Sequence, residues 1–255
     1  MKKIVVITGT SSGIGAELKR LCIEAGDTVV GLCRRPSEGD IYCDVSDEAS
    51  VKAAFDEIAK VYGRVDVLVN NAGLGVSGAT ELVPVKDARQ VVDVDFYGTY
   101  FCCRAALPLM DKGAKIVNIS SACALFALPF RSVYCAAKAA VNMLTFGFRM
   151  ELEKYGITVV TVCPGDIKTS FTANRIKNTD SGRYGSDAVR AAMKVDGREH
   201  KRMNCEKACR RIYRICARKN GAFYIVGGKY KVLWILKRIL PTGLFIKVTG
   251  RMFGG

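Results

Sequence analysis

Tyr134 and Lys138 stand four residues apart, and Ser121 precedes the tyrosine by thirteen. On a helix, positions i and i+4 share a face, so a phenol and an ammonium could serve one reacting atom. A free tyrosine titrates near about 10 and is a poor proton donor or acceptor at neutral pH. An ammonium held beside it favours the phenolate and pulls its pKa toward the working range. Ser121 adds a hydroxyl able to hydrogen-bond a substrate oxygen, with Ser120 as its rival. The chemistry open to such a set is proton transfer at an oxygen. The same spacing also arises by chance on exposed helices, so the surrounding elements carry the decision.

Those elements begin at the N-terminus. Residues 3–8 are a short, β-branched, apolar run without polar alternation, which predicts a central parallel strand covered on both faces. The run passes directly into Thr8-Gly9-Thr10-Ser11-Ser12-Gly13-Ile14-Gly15 and then into a helical stretch over 16–24. Strand, glycine-rich turn and helix together form a dinucleotide-binding context. Gly9 permits the tight turn, Gly13 lets the backbone approach a pyrophosphate, and Gly15 allows close helix–strand packing. The helix N-terminus then offers unpaired N–H groups and a positive dipole end to phosphates.

With these motifs in order, the chain resembles the short-chain dehydrogenase/reductase family over most of its length. The turn from Thr8 to Gly15 resembles the family's cofactor motif, which implies contacts from Gly9, Ser11, Ser12, Ile14 and Gly15. Asp44-Val45 resembles its adenine-side contact and Asn70-Asn71-Ala72-Gly73 the motif after its fourth strand. Ser121, Tyr134-x-x-x-Lys138 and Pro164-Gly165 with Ile167 and Thr169 complete the set. The resemblance implies hydride transfer with a nicotinamide cofactor, with Tyr134 as general acid/base. Lys138 would lower the tyrosine pKa and hold the nicotinamide ribose. Ser121, favoured over Ser120 by its distance from the tyrosine, would orient the substrate oxygen, and Thr169 would bind the carboxamide. The family's fourth catalytic position, an asparagine on a water-linked proton path, is Asp95 here. This departure predicts retained activity with an altered pH profile. At the end of the second strand, where NAD-preferring members carry an acid, stand Cys33 and then Arg34-Arg35. No carboxylate there would repel a 2′-phosphate, and guanidinium groups bind one bidentately, so NADP(H) is expected over NAD(H).

A chain of 255 residues can bury one large α/β core. Further strands are expected over 28–32, 65–69, 115–119, 157–163 and 222–226, with helices around 48–62, 85–111, 132–155 and 206–219. This alternation predicts a single Rossmann-type, doubly wound parallel sheet with helices on both faces. One domain would run over 1–228 with a substrate loop near 166–205, and 229–255 would be its basic, apolar C-terminal extension. Met1-Lys2-Lys3 with its apolar run resembles the start of a secretion signal but is too short and leads straight into the glycine turn. Eleven scattered cysteines without a CxxC pair read as reduced thiols, pointing to the cytoplasm. Cys205, Cys209 and Cys216 share one helix face, and with His200 the sole histidine they read as that helix's buried side, not as a metal site.

Charge is segregated. Residues 1–173 hold 19 basic and 19 acidic side chains, whereas 174–255 hold 20 and 5, so the whole net +15 lies in the C-terminal third. No nucleic-acid motif accompanies it. Residues 229–240 mix lysines with Trp234 and aliphatic side chains, in apolar runs far too short to span a bilayer. Two readings stand: a helix packed over the substrate cleft or against a subunit partner, and an interfacial segment touching a membrane surface. The stretch 124–130 is apolar and similar to its counterpart in hydroxysteroid dehydrogenases. With Phe126, Phe130 and Phe171 as substrate walls it favours a steroid- or lipid-like alcohol or ketone, the other reading being core or dimer contact. The family pattern places a homodimer or homotetramer interface on the helices around 96–111 and 134–153. Two function classes remain: an oxidoreductase, or a non-catalytic NADP(H)-binding sensor on the same fold.

Overall fold

A computed structural model describes residues 2–180, 182–187, 190, 202–218 and 220–253. Of the substrate loop expected over 166–205, residues 181, 188–189 and 191–201, His200 included, lie outside the described residues.

The β-branched runs form strands because both of their faces are covered. β1 (Ile4–Thr8), β2 (Thr28–Cys33), β3 (Asp40–Tyr42), β4 (Val67–Asn70), β6 (Lys115–Ile119), β7 (Thr158–Pro164) and β9 (Phe223–Val226) build one sheet. Its order is β3-β2-β1-β4-β6-β7-β9, parallel throughout. Successive residues alternate between two cores. Val6, Val30, Leu32, Leu68, Ile116 and Val159 pack on one side, together with Val51, Phe55 and Ile58 of α2 (Glu48–Tyr62). Val5, Ile7, Val69, Val117, Val160 and Val162 pack on the other, beneath α1 (Gly13–Glu24) and α6 (Cys205–Arg218). Cys209 and Cys216 are buried in that second core, as the cysteine-bearing face of the helix suggested. The strand order reverses between β1 and β4, and in such sheets the crevice beyond the carboxyl ends of the strands is the ligand site.

Three departures from the sequence expectation bear on that crevice. The single helix expected over 85–111 is broken into α3 (Val85–Val92), a π-helical turn (Asp93–Tyr97), α4 (Gly98–Ala106) and a 3₁₀ turn (Leu107–Leu109). In the π turn the Gly98 N–H reaches the Asp93 carbonyl, one residue beyond the α register. β3 and the small pair β5 (Val76–Ser77) with β8 (Ile176–Lys177) are too short to show in a hydropathy pattern. The pair ties the segment after β4 to the segment after β7 across the mouth of the crevice.

The C-terminal extension is two helices, α7 (Gly228–Ile239) and α8 (Thr242–Phe253), separated where Leu240 turns extended before Pro241. Their inner residues Tyr230, Leu233 and Phe245 join Leu125, Phe126, Leu128 and Cys163 in a third apolar cluster. No described helix is long and apolar enough to cross a membrane.

Candidate active site

Beyond the carboxyl ends of β1, β4, β6 and β7 lies a cavity of about 430 Å³. Its floor is built where two sequence-distant motifs lock together. The Thr8 hydroxyl accepts the backbone N–H groups of Asn71 and Ala72, both at 2.9 Å, and the Asn71 amide donates to the Thr8 carbonyl at 3.0 Å. Gly15 is compulsory there, because a Cβ would lie 2.2 Å from the Gly9 carbonyl oxygen and 2.5 Å from Asn71 Nδ2. Gly15 therefore acts behind the turn and does not itself line the cavity, whereas Gly9, Ser11, Ser12 and Ile14 do. Ser12 caps α1 with extended backbone and no side-chain hydrogen bond, and the first turn carries no acid. Its leading N–H groups and positive dipole end thus face the cavity as an anion cradle, and these residues fit a dinucleotide pyrophosphate.

The remaining cofactor-side expectations fall along the same wall. Arg34, Arg35, Asp44, Val45, Asn71, Ala72, Gly73, Pro164, Gly165, Ile167 and Thr169 all line the cavity. The Asp44 carboxylate accepts from the Ser46 backbone and hydroxyl, which turns it into a local brace. Thr169 stands across from the turn, 3.4 Å from where a Cβ on Gly13 would project.

Tyr134 and Lys138 sit in the first two turns of α5 (Ser132–Leu152), and both line the cavity with Ser121. Ser121 lies two residues beyond the end of β6 and caps a 3₁₀ turn, its hydroxyl accepting the Cys123 N–H at 3.1 Å. Ser120 instead donates its hydroxyl to the Lys138 carbonyl at 3.0 Å and fastens β6 to α5. The Lys138 ammonium donates to the Ile119 carbonyl at 3.3 Å and lies 3.7 Å from Asp95 Oδ1.

Asp95 sits fully buried on the π turn. Its Oδ1 accepts the Leu74 N–H at 2.8 Å, its Oδ2 has no hydrogen-bond partner among the described residues, and its carbonyl accepts the Thr99 hydroxyl at 2.7 Å. Burial pushes its carboxyl up to about 6, against the Lys138 charge and the Leu74 N–H. The consequence reaches Tyr134. Burial, followed by the Asp95 charge, holds the phenol well above its ordinary value, with the Ser121 hydrogen bond pulling the other way. The Tyr134–Lys138 spacing predicts a lowered phenol, and the structure gives the opposite shift. The spacing carries no information about the carboxylate that the π turn sets beside the ammonium.

Two of the three aromatic walls are corrected. Phe171 does line the cavity, its ring centroid 5.8 Å from that of Tyr134. Phe126 is buried in the third apolar cluster, stacked on Tyr230 at 6.3 Å and Phe253 at 6.2 Å. Phe130, in a left-handed backbone conformation, turns its ring edge-on to Tyr184 and away from the cavity. Leu128 and Pro129 of the same loop, with Leu74 and Val76, supply the apolar lining instead. Sequence reasoning also missed Asp166, Tyr230 and Phe253, which line the cavity. Tyr230 donates its hydroxyl to Asp166 Oδ2 at 2.5 Å and packs its ring so close to Gly165 that a Cβ there would lie 2.1 Å away. An aromatic residue on an amphipathic C-terminal helix, with an acid directly after Pro164-Gly165, was the available signal.

Comparison with known proteins bears on the whole arrangement. The family profile described as short chain dehydrogenase matches residues 3–180. A 3-ketodihydrosphingosine reductase of Bacteroides thetaiotaomicron is 35% identical over 231 residues, covering 87% of this chain and 86% of that protein. A 3beta-hydroxysteroid dehydrogenase of Mediterraneibacter gnavus is 36% identical over 188 residues, covering 67% and 68% respectively. The solved structure of ElxO with NADP bound superposes with a TM-score of 0.75 at 29% identity, covering 91% of this chain and all of that one.

Proposed function

The chain belongs to the short-chain dehydrogenase/reductase family, whose members act on CH–OH groups with a nicotinamide cofactor, and from that premise we propose that it is an NADP(H)-dependent reductase of a hydrophobic, lipid- or steroid-like ketone. The observation that carries this reading is the set Ser121, Tyr134 and Lys138 on the wall of a cavity that runs on from the glycine turn.

When bound, the nicotinamide supplies the hydride. The chain's own residues do the rest. The uncapped N-terminus of α1 holds the pyrophosphate, and Arg34 and Arg35 pair with a 2′-phosphate. Ser121 donates a hydrogen bond to the ketone oxygen, and Tyr134 delivers the proton to that oxygen as the alcohol forms. The phenol, held above its ordinary pKa by burial, is protonated at neutral pH, so in the reductive direction it starts with the proton it must deliver. Lys138, tied to Ile119 and Asp95, holds the ribose edge. Phe171, Leu74, Val76, Leu128 and Phe253 offer the apolar part of the substrate a dry wall. The similarity to a 3-ketodihydrosphingosine reductase supports a long-chain ketone, and that to a 3beta-hydroxysteroid dehydrogenase supports a bulky apolar one. The protein works as a homodimer or homotetramer packed through α4 and α5.

The test is NADPH consumption against steroid, long-chain acyl, quinone and sugar carbonyls, with Tyr134→Phe as control. Turnover on the steroid or acyl class, lost by about 10²-fold or more in the control, is expected. Tight NADPH binding without turnover on any class would assign the chain to the non-catalytic sensor reading instead.

A further inference from the structure

We propose that the outward side of the α7–α8 pair docks on an anionic lipid bilayer, and that the bilayer delivers the ketone to the cavity those helices border. On α7, Val232, Ile235 and Ile239 are 57%, 51% and 71% exposed and fall at i, i+3 and i+7, one apolar stripe. α8 leaves Leu244 and Ile246 exposed as well. Single exposed aliphatic residues are ordinary, but a stripe of three on α7, with Leu244 and Ile246 exposed on either side of the buried Phe245 on the adjoining helix, marks a contact surface.

Charge decides what covers it. From residue 207 to the C-terminus the sequence has twelve Lys and Arg and no Asp or Glu. Lys237 is engaged inward, donating to the Leu125 carbonyl at 2.5 Å, and Lys229 reaches Asp166 at 3.9 Å. Lys231, Arg238, Lys247 and Arg251 are exposed on the same two helices, Arg238 lying over the Trp234 ring. A second copy meeting this face across a two-fold axis would set like charges against one another. An anionic bilayer accepts both components, aliphatic side chains at the acyl boundary and cations among the headgroups.

The inner side of the same helices supplies the link to chemistry. Tyr230 of α7 and Phe253 of α8 line the cavity, and Tyr230 is bonded to Asp166 directly after the Pro164-Gly165 turn. A hydrophobic ketone dissolved in the bilayer would pass between these helices to Tyr134 without crossing water. Delivery rests on the lipid-ketone reading above, whereas docking does not.

The experiment uses the full chain with vesicles of phosphatidylcholine alone or with about 30% phosphatidylglycerol, without any carbonyl substrate. Co-sedimentation is expected with the anionic vesicles, at least about tenfold weaker with neutral ones and reduced in about 0.5 M salt. The double variants Ile235→Glu/Ile239→Glu and Lys231→Glu/Lys247→Glu should each lose binding by a similar factor while keeping wild-type NADPH affinity, which reports a folded chain. Wild-type protein that stays in the supernatant, or variants that bind as wild type does, overturns the proposal. Light scattering that shows the Ile235/Ile239 variant dissociating an oligomer of a non-binding wild type overturns it in favour of a second copy. Absence of ketone turnover would leave the docking result standing, so the two readings fail separately.

Discussion

Asp95 changes what Lys138 can do for Tyr134. The ammonium has a carboxylate at 3.7 Å, and that carboxylate's charge raises the phenol. Asp95→Asn removes the charge while an amide oxygen can still accept the Leu74 N–H. The tyrosine pKa should then fall, and the pH at which alcohol oxidation sets in should drop by on the order of one unit. Superimposable pH profiles of oxidative kcat/KM for the two proteins would refute this coupling. The same group leaves a mark on stability. Its folded pKa of about 6 lies above the unfolded value of about 3.9, so the folded state binds the extra proton. Its favourable contribution is complete below about pH 4 and is lost as pH rises through about 6. Denaturant melts of wild type relative to Asp95→Asn should shift against wild type by on the order of 2 kcal/mol between those limits. Arg34 and Arg35 line the cavity beyond β2. Arg34→Ala should lower the NADPH/NADH ratio of kcat/KM by roughly tenfold or more, the scale of a charge-assisted hydrogen bond. An unchanged ratio would assign cofactor choice to other groups.

At the scale of elements, the glycine turn, α1 and the Asn70–Gly73 segment form one interlocked unit. The interlock predicts a severe effect from Gly15→Ala. Its Cβ would meet the Gly9 carbonyl, which is backbone and cannot swing aside. A loss of about 1–3 kcal/mol in stability should accompany a clear weakening of NADPH binding, read by thermal melting and fluorescence titration. Wild-type affinity in a stable variant would show that the turn tolerates the shift. The longer strands and α1, α2 and α5 were legible because β-branched runs, caps and 3.6-residue periodicity are local signals, whereas β3, β5 and β8 were not. Nor was the π turn. It inserts one residue into an otherwise helical pattern, and the hydropathy of 85–111 reads the same with or without it. The loop 124–130 was correctly read as apolar, yet its 3₁₀ turn and the left-handed Phe130 sent Leu128 and Pro129 to the cavity and both phenylalanines elsewhere.

For the molecule as a whole, α5 leaves Met143 and Met150 exposed at i and i+7, and Tyr97 is exposed at the π turn. Met143 and Met150 lie on α5 and Tyr97 directly precedes α4, the two helices proposed as the subunit interface. Met143→Glu/Met150→Glu should therefore lower the mass measured by light scattering to that of a monomer, with NADPH binding retained. An unaltered oligomer would move the interface to another face. The net +15 is a property of assembly and encounter, since the first 173 residues are balanced and the excess lies in the C-terminal third.

The doubly wound sheet, the glycine turn and the candidates Ser121, Tyr134 and Lys138 were legible in the chain, because each is marked by local patterns whose spacing carries geometry. The tertiary fold set which aromatic side chains face the cavity, that α7 and α8 border it, and that burial and the Asp95 charge push the Tyr134 phenol up. Those outcomes depend on burial and on charges brought together from distant positions, Asp95 beside Lys138 above all. Neither desolvation nor a through-space contact has a signature along the chain.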